Sequence, residues 1–167
     1  YDGQFGQLPQ GYDHKYVYSH FGYNLKVTDL QAAVGVEQLK KFPSFIERRR
    51  HNWERLHKAL ECIQDKIILP EPAENSRPSW FGFLISVRPE TGIERNKITR
   101  YIEEHNVQTR LLFSGNIIKH PCFDQIRDTD AYRVSGDLSE TEFVMNNTFW
   151  VGVYPGMTDV MIDYMAE

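Results

Sequence analysis

At 167 residues the chain is long enough for one domain of common size, or for one domain with an arm attached. Hydrophobic residues at 41% and charged residues at 25% are ordinary globular values. A net charge of −4 and a pI near 5.9 exclude nucleic acid as a default partner, because no large positive field is available to release counterions. No apolar run approaches the roughly 18 residues of a membrane span. Cys62 and Cys122 stand far apart, outside any metal-ligand spacing, and read as reduced thiols of a cytoplasmic protein. His51 and His57, six apart, do not share a helix face as metal ligands would.

The opening "YDGQFGQLPQGYDHKY" has neither a basic flank nor an apolar core, so it is not read as a signal peptide. It also lacks an initiator Met, and the expectation is a chain processed or cut from something longer. Residues 1 to 27, rich in Gly, Tyr and polar groups, are expected to form an extended arm, with a short strand at "KYVYSH". Thr28 and Gln31 make a capping box that opens a helix. Leu30, Val34, Leu39 and Phe42 give it an apolar stripe, Ala32, Ala33 and Gly35 keep one surface thin, and Pro43 is expected to end it.

Ser44, boxed with Glu47, is expected to restart the helix. Ile46, Trp53, Leu56, Leu60 and Ile63 then recur at three-, four- and seven-residue steps, the longest periodic segment in the chain. Its other face carries "ERRRHNWER", read as a solvated surface beside acidic neighbours. Prolines 70, 72 and 78 punctuate a loop. "WFGFLISV" (80–87) reads as a buried strand. Thr91 and Glu94 are expected to cap a helix to about His105, with Ile98, Tyr101 and Ile102 inward. "VQTRLLF" (107–113) is a second strand, and "SGN" turns the chain into an irregular stretch to about Ser139. Ser139 and Glu142 are expected to cap a short helix before a third strand, "TFWVGVYP" (148–155). Thr158 starts a last helix. Alternating helices and strands predict a small sheet covered on one face by helices.

Self-contained chemistry is not visible in the pattern. No Gly-rich phosphate loop or Gly-x-Ser-x-Gly elbow occurs. The serine of "LFSGN" has no nearby histidine, and spacing alone pairs no carboxylates for acid–base work.

The segment "GYNLKVTDLQAAVGVEQLKKF" resembles the Gly-Tyr-Asn-x-Arg-Met-x-(Asp/Glu)-x-Gln-Ala-Ala segment of the DegT-type sugar aminotransferase superfamily. "GYDHKYVYSHFGYNLKVTD", "SWFGF", "TRLLFSGN" and "MNNTFWVGVYPG", four blocks spanning nearly the whole chain, look like the branch that deoxygenates C3, the CDP-4-keto-6-deoxy-D-glucose 3-dehydrases of lipopolysaccharide biosynthesis. The resemblance implies an α/β fold: the C-terminal domain of a fold-type I pyridoxal-phosphate enzyme, with a long connecting helix and a small, mainly antiparallel sheet. Residues 1–27 would be an arm reaching toward the partner subunit's active site, and 28–167 the connecting helix and small domain. Such a piece alone would be catalytically silent.

It also implies roles. Asn24 would donate to the cofactor phosphate in the partner subunit of a homodimer. Lys26 stands where transaminating relatives carry Arg, whose planar fork suits an amino donor's carboxylate; its loss fits dehydration. His20 and Tyr23, with Tyr18, would line or support that cleft. Phe81, beside Trp80, would lie near the sugar, Arg110 near a phosphate of the nucleotide-linked keto sugar, and Asn116 in a neighbouring turn. "HPCF" departs from the family's Gln-Pro-Tyr and leaves the contacts of His120 and Cys122 open. Upstream machinery would include a histidine in place of the Schiff-base lysine, cysteines of a two-iron two-sulfur cluster, and electrons from a flavin-containing reductase. The alternatives are a fragment of a nucleotide-sugar aminotransferase, or a non-catalytic binding or oligomerisation module with a ferredoxin-like sheet.

Overall fold

Helix α1 (Asp29–Leu60) runs unbroken for 32 residues, with Pro43 inside it. The expected stop at Pro43 is therefore wrong. Proline removes one N–H, the donor that would reach Leu39, and both residues are exposed, so water can satisfy the orphaned carbonyl. The second capping box does not form either, because the Ser44 hydroxyl donates to Lys41 O at 2.7 Å. At the start of α1 the predicted box is present: Thr28 N–H donates to Gln31 Oε1 at 3.0 Å, and Gln31 N–H to Thr28 Oγ1 at 3.4 Å.

The computed structural model describes residues 6–10, 13, 15, 17, 18, 20–23 and 25–167. The chain divides into two compact units, 1–38 and 39–167. In the first, the described part of "KYVYSH" forms no strand. Among the described apolar side chains there, Tyr18, Phe21, Tyr23, Leu25, Val27, Leu30, Val34 and Val36 are exposed, and the apolar stripe continues exposed through Leu39 and Phe42.

The second unit holds a four-stranded, wholly antiparallel sheet in the order β1-β2-β4-β3. Its strands are β1 (Ile67–Ile68), β2 (Gly82–Val87), β3 (Thr109–Leu111) and β4 (Thr148–Gly152). Three match the predicted runs; β1 is too short to show a period and was not foreseen. Because β4 lies antiparallel between β2 and β3, those two run the same way, joined through α2 (Arg95–Glu104) as a split β-α-β unit.

Alternation decides which side chains go inward. Phe83, Ile85 and Val87 of β2 are buried, as are Phe149 and Val151 of β4 and Val153 beyond it. They meet Trp53, Leu56 and Leu60 of α1, Ile98 and Ile102 of α2, and Ile162 of α4 (Asp159–Ala166). Tyr101 points out, against expectation, and its ring packs on His105.

Two helix starts also differ from the capping-box reading. The Thr91 hydroxyl donates to Arg88 O, within a short 3-10 turn, so α2 begins later, at Arg95. Helix α3 (Ser139–Asn147) begins with Ser139 already helical; its N–H and hydroxyl both donate to Asp137 Oδ1. A nearby acceptor won over the helix end in both cases. Thr158 does cap α4, accepting from Met161 N–H.

Candidate functional site

The residues anticipated for the cofactor and substrate fall in both units. In the first, His20, Tyr23 and Lys26 are exposed. Asn24 lies outside the described residues. From Tyr18 to Thr28 the sequence contains no acidic side chain, so the polar groups of this run are hydrogen-bond donors or amphoteric hydroxyls and rings, suited to an anion.

In the second unit the outer face of the sheet brings two anticipated residues to one indole. Arg110 pairs in register with Trp150, and Phe81 packs on the Trp150 ring at 4.9 Å between centroids. Trp150 is positioned from two sides. Its Nε1 donates to Leu111 O at 3.2 Å, and a β-carbon at Gly82 would lie 2.6 Å from its Cε3. Glycine at 82 makes room for the ring. Trp80, by contrast, stacks nearly parallel on Trp53 at 4.3 Å and belongs to the core side.

Arg110 Nη1 donates to Thr109 O at 3.0 Å; with the Gln108 amide oxygen turned toward it, that oxygen accepts from both Arg110 terminal nitrogens. The guanidinium is thus held by neutral oxygens, and among the described residues no carboxylate is recorded in an ion pair with it. It stands at the rim of a cleft of about 630 Å³, with Trp150, Tyr154 and the methionines of α4 along its wall.

Asn116 is nearly fully buried. Its Nδ2 donates to Glu142 Oε1 at 2.5 Å and its N–H to Met145 Sδ. Lys119 Nζ holds the other Glu142 oxygen at 2.6 Å, and Lys119 first, then Asn116, hold this carboxyl below the usual carboxylate range. His120 Nε2 lies 2.7 Å from Ser114 O, and Cys122 is exposed.

The arginine run of α1 does more than meet solvent. Arg48 Nε and Nη2 donate to Met157 O, and Nη2 also reaches Asp159 Oδ1 at 2.7 Å. Arg49 donates to Trp80 O, and Arg50 to Pro78 O and Arg77 O. His51 Nε2 is 3.0 Å from Asp159 Oδ1, and Arg55 makes two bonds to Asp163. His51 and then Arg48 hold Asp159 below the ordinary range, as Arg55 does Asp163. The run fastens α4 and the proline loop to α1. Asp159 and Asp163, one helical turn apart, were the sequence signal for it.

Among the described residues, no group of three or more His, Cys, Asp and Glu gathers as a metal site, and no helix is long and apolar enough to cross a membrane.

The sheet-and-helix unit is that of fold-type I pyridoxal-phosphate-dependent enzymes. The chain superposes with a TM-score of 0.76 on the E. coli GDP-4-keto-6-deoxy-D-mannose-3-dehydratase with bound hydrated PLP, at 26% identity over 92% of this chain and 38% of that one. The chain belongs to the DegT/DnrJ/EryC1/StrS aminotransferase family, whose model matches residues 4–167. It is 48% identical, over its whole length, to the dTDP-4-dehydro-2,6-dideoxy-D-glucose 3-dehydratase of Saccharopolyspora spinosa. It is 47% identical, over 98% of its length, to the lipopolysaccharide biosynthesis protein RfbH of Salmonella typhimurium. The chain spans 35% and 37% of those two relatives.

Proposed function

We propose that this chain is the C-terminal part of a nucleotide-sugar 3-dehydratase that removes the C3 hydroxyl of a 4-keto-6-deoxyhexose on the way to 3,6-dideoxyhexoses of lipopolysaccharide O-antigen. Identity near one half to a named 3-dehydratase and to a lipopolysaccharide biosynthesis protein supports the reading. The structural observation that carries it is the exposure of the described apolar and donor side chains at Tyr18, residues 20–23 and residues 25–28, continuing into α1. Such a run forfeits burial in its own chain, at about 25 cal/mol per Å² of apolar surface, and makes sense where another surface covers it.

The covering surface is the partner subunit of a homodimer. The donor set of this arm fits a phosphate: the Asn24 amide donates to a cofactor phosphate oxygen, and Lys26 supplies a point charge in place of the arginine fork that an amino donor's carboxylate would need. Pyridoxamine or pyridoxal phosphate, when bound, supplies an electron sink for loss of the C3 hydroxyl. Phe81 and Arg110 orient the substrate, the ring against the sugar and the guanidinium toward a phosphate. The full-length protein contributes the remainder: a histidine in the Schiff-base lysine position, cysteines for a two-iron two-sulfur cluster, and a face for a flavin-containing reductase. We place the enzyme in the cytoplasm and expect the 167-residue piece alone to be inactive.

The test is product analysis. Full-length protein charged with pyridoxamine phosphate, given a nucleotide-linked 4-keto-6-deoxyhexose and a reductant, yields the 3-deoxy sugar. An amino sugar formed with glutamate as donor would instead make it a sugar aminotransferase.

A further inference from the structure

Between β3 and the 3-10 turn at Ile117–Lys119, the backbone does something a phenylalanine does not do readily. Phe113 has φ +48°, in the left-handed region where a bulky side chain crowds its own carbonyl, and its ring is 76% exposed. The residue gives up both a relaxed backbone and a buried ring.

The turn is fixed on every side. Phe113 N–H donates to Leu111 O at 2.8 Å, and Gly115 N–H to Leu112 O. Gly115, at φ +57°, sits so close to α3 that a β-carbon there would lie 2.6 Å from Met145 Cγ. Asn116 is buried on Glu142 and Met145, Lys119 holds the same Glu142, and His120 reaches back to Ser114 O. On the other side the Trp150 indole holds Leu111 O. The strain sits in a well-bonded frame that presents one aromatic ring outward, three positions along the chain from Arg110. Strained, over-determined residues of this kind concentrate at ligand-contacting positions.

An exposed aromatic ring and a cation carried on one short segment, residues 110 to 113, match one ligand chemistry: an apolar sugar face carried on a phosphate. A 6-deoxyhexose has such a face, because its C6 methyl replaces a hydroxyl, and its C–H groups suit the negative face of a phenyl ring. We propose that Phe113 is a substrate-contacting, specificity-determining residue whose ring is held by the 112–116 turn against the C5–C6 edge of the nucleotide-linked 6-deoxyhexose. This rests on the dehydratase reading above.

The experiment compares wild type, Phe113→Gly and Phe113→Tyr as full-length, cofactor-charged enzyme. Glycine takes the left-handed conformation without strain, so the folded state and dimer mass are expected to hold and Tm to stay level or rise. KM for the keto sugar is expected to rise roughly tenfold with kcat within about twofold, and the preference for the 6-deoxy over the 6-hydroxy sugar to fall with it. Tyrosine is expected to restore both. Unchanged KM and unchanged preference in Phe113→Gly would overturn the proposal. Loss of the dimer in that variant would also overturn it, assigning the ring to a subunit contact. Wild-type enzyme that does not deoxygenate a keto sugar would overturn the dehydratase reading first, and this inference with it.

Discussion

Trp150 occupies the space that a side chain at Gly82 would need: a β-carbon placed there meets Trp150 Cε3 at 2.6 Å and Val151 O at 3.0 Å. The neighbouring contact is main chain as well as ring, so rotation of the indole alone cannot relieve it. Gly82→Ala is expected to destabilise the second unit by about 1–3 kcal/mol, the usual cost of overpacking. Denaturant unfolding measures it. Coupling to Trp150→Leu in a double-mutant cycle should recover part of the loss, whereas additivity would show that the ring is not the obstacle.

Asn116 and Glu142 give a second prediction. The Asn116 amide is buried and bonded to a carboxylate, so Asn116→Ala is expected to cost about 1.5–3 kcal/mol. Asn116→Asp should cost more, because two carboxylates would face each other beside the single charge of Lys119. Thermal unfolding of the three proteins orders them.

Stability should fall in acid through the α1–α4 clamp. His51 and Arg48 lower the folded-state pKa of Asp159, and Arg55 that of Asp163. A depressed carboxylate pKa means the unfolded chain binds protons first as pH drops. The contribution is thus complete above the ordinary carboxylate value near about 4 and is lost as pH falls through the lower folded values. Asp159→Asn with Asp163→Asn should flatten the acid limb of a stability–pH profile.

Asn24 is the direct test of the arm. In the full-length dimer, Asn24→Ala should weaken pyridoxamine phosphate binding roughly tenfold, the loss of one hydrogen bond to a charged group. Asn24→Asp should weaken it further, by setting like charge against the phosphate. Titration followed by cofactor absorbance reads both, and unaltered affinity in the aspartate variant would remove Asn24 from the phosphate site.

The readable parts of this molecule are those where burial writes a period. The α1 stripe of Trp53, Leu56 and Leu60, carried on by Ile63 just beyond the helix, and the alternation of Phe83, Ile85 and Val87 follow from which faces meet the core. Thr28 and Thr158 were legible as caps because no nearer acceptor competes for their hydroxyls or neighbouring amides. Thr91 and Ser139 carry the same motif, yet Arg88 O and Asp137 intercept them. Pro43 misled because a proline costs a helix one bond, and exposure lets water meet that cost. The arm's role came from resemblance, since no periodicity marks it. Phe113 went unremarked because residue type favours an ordinary backbone there; only coordinates reveal a positive φ. The arginine clamp was half visible, its acidic partners lying more than a hundred residues away in sequence.

Arg48, Arg49 and Arg50 direct donors to the carbonyls of Met157, Trp80, Pro78 and Arg77, and those oxygens exist whatever side chains the four residues carry. The fastening therefore recognises a path of the backbone, indifferent to spelling. Evolution can rewrite the exposed positions of the proline loop, so long as the three guanidinium groups persist, and the scaffold stays still while its surface diversifies.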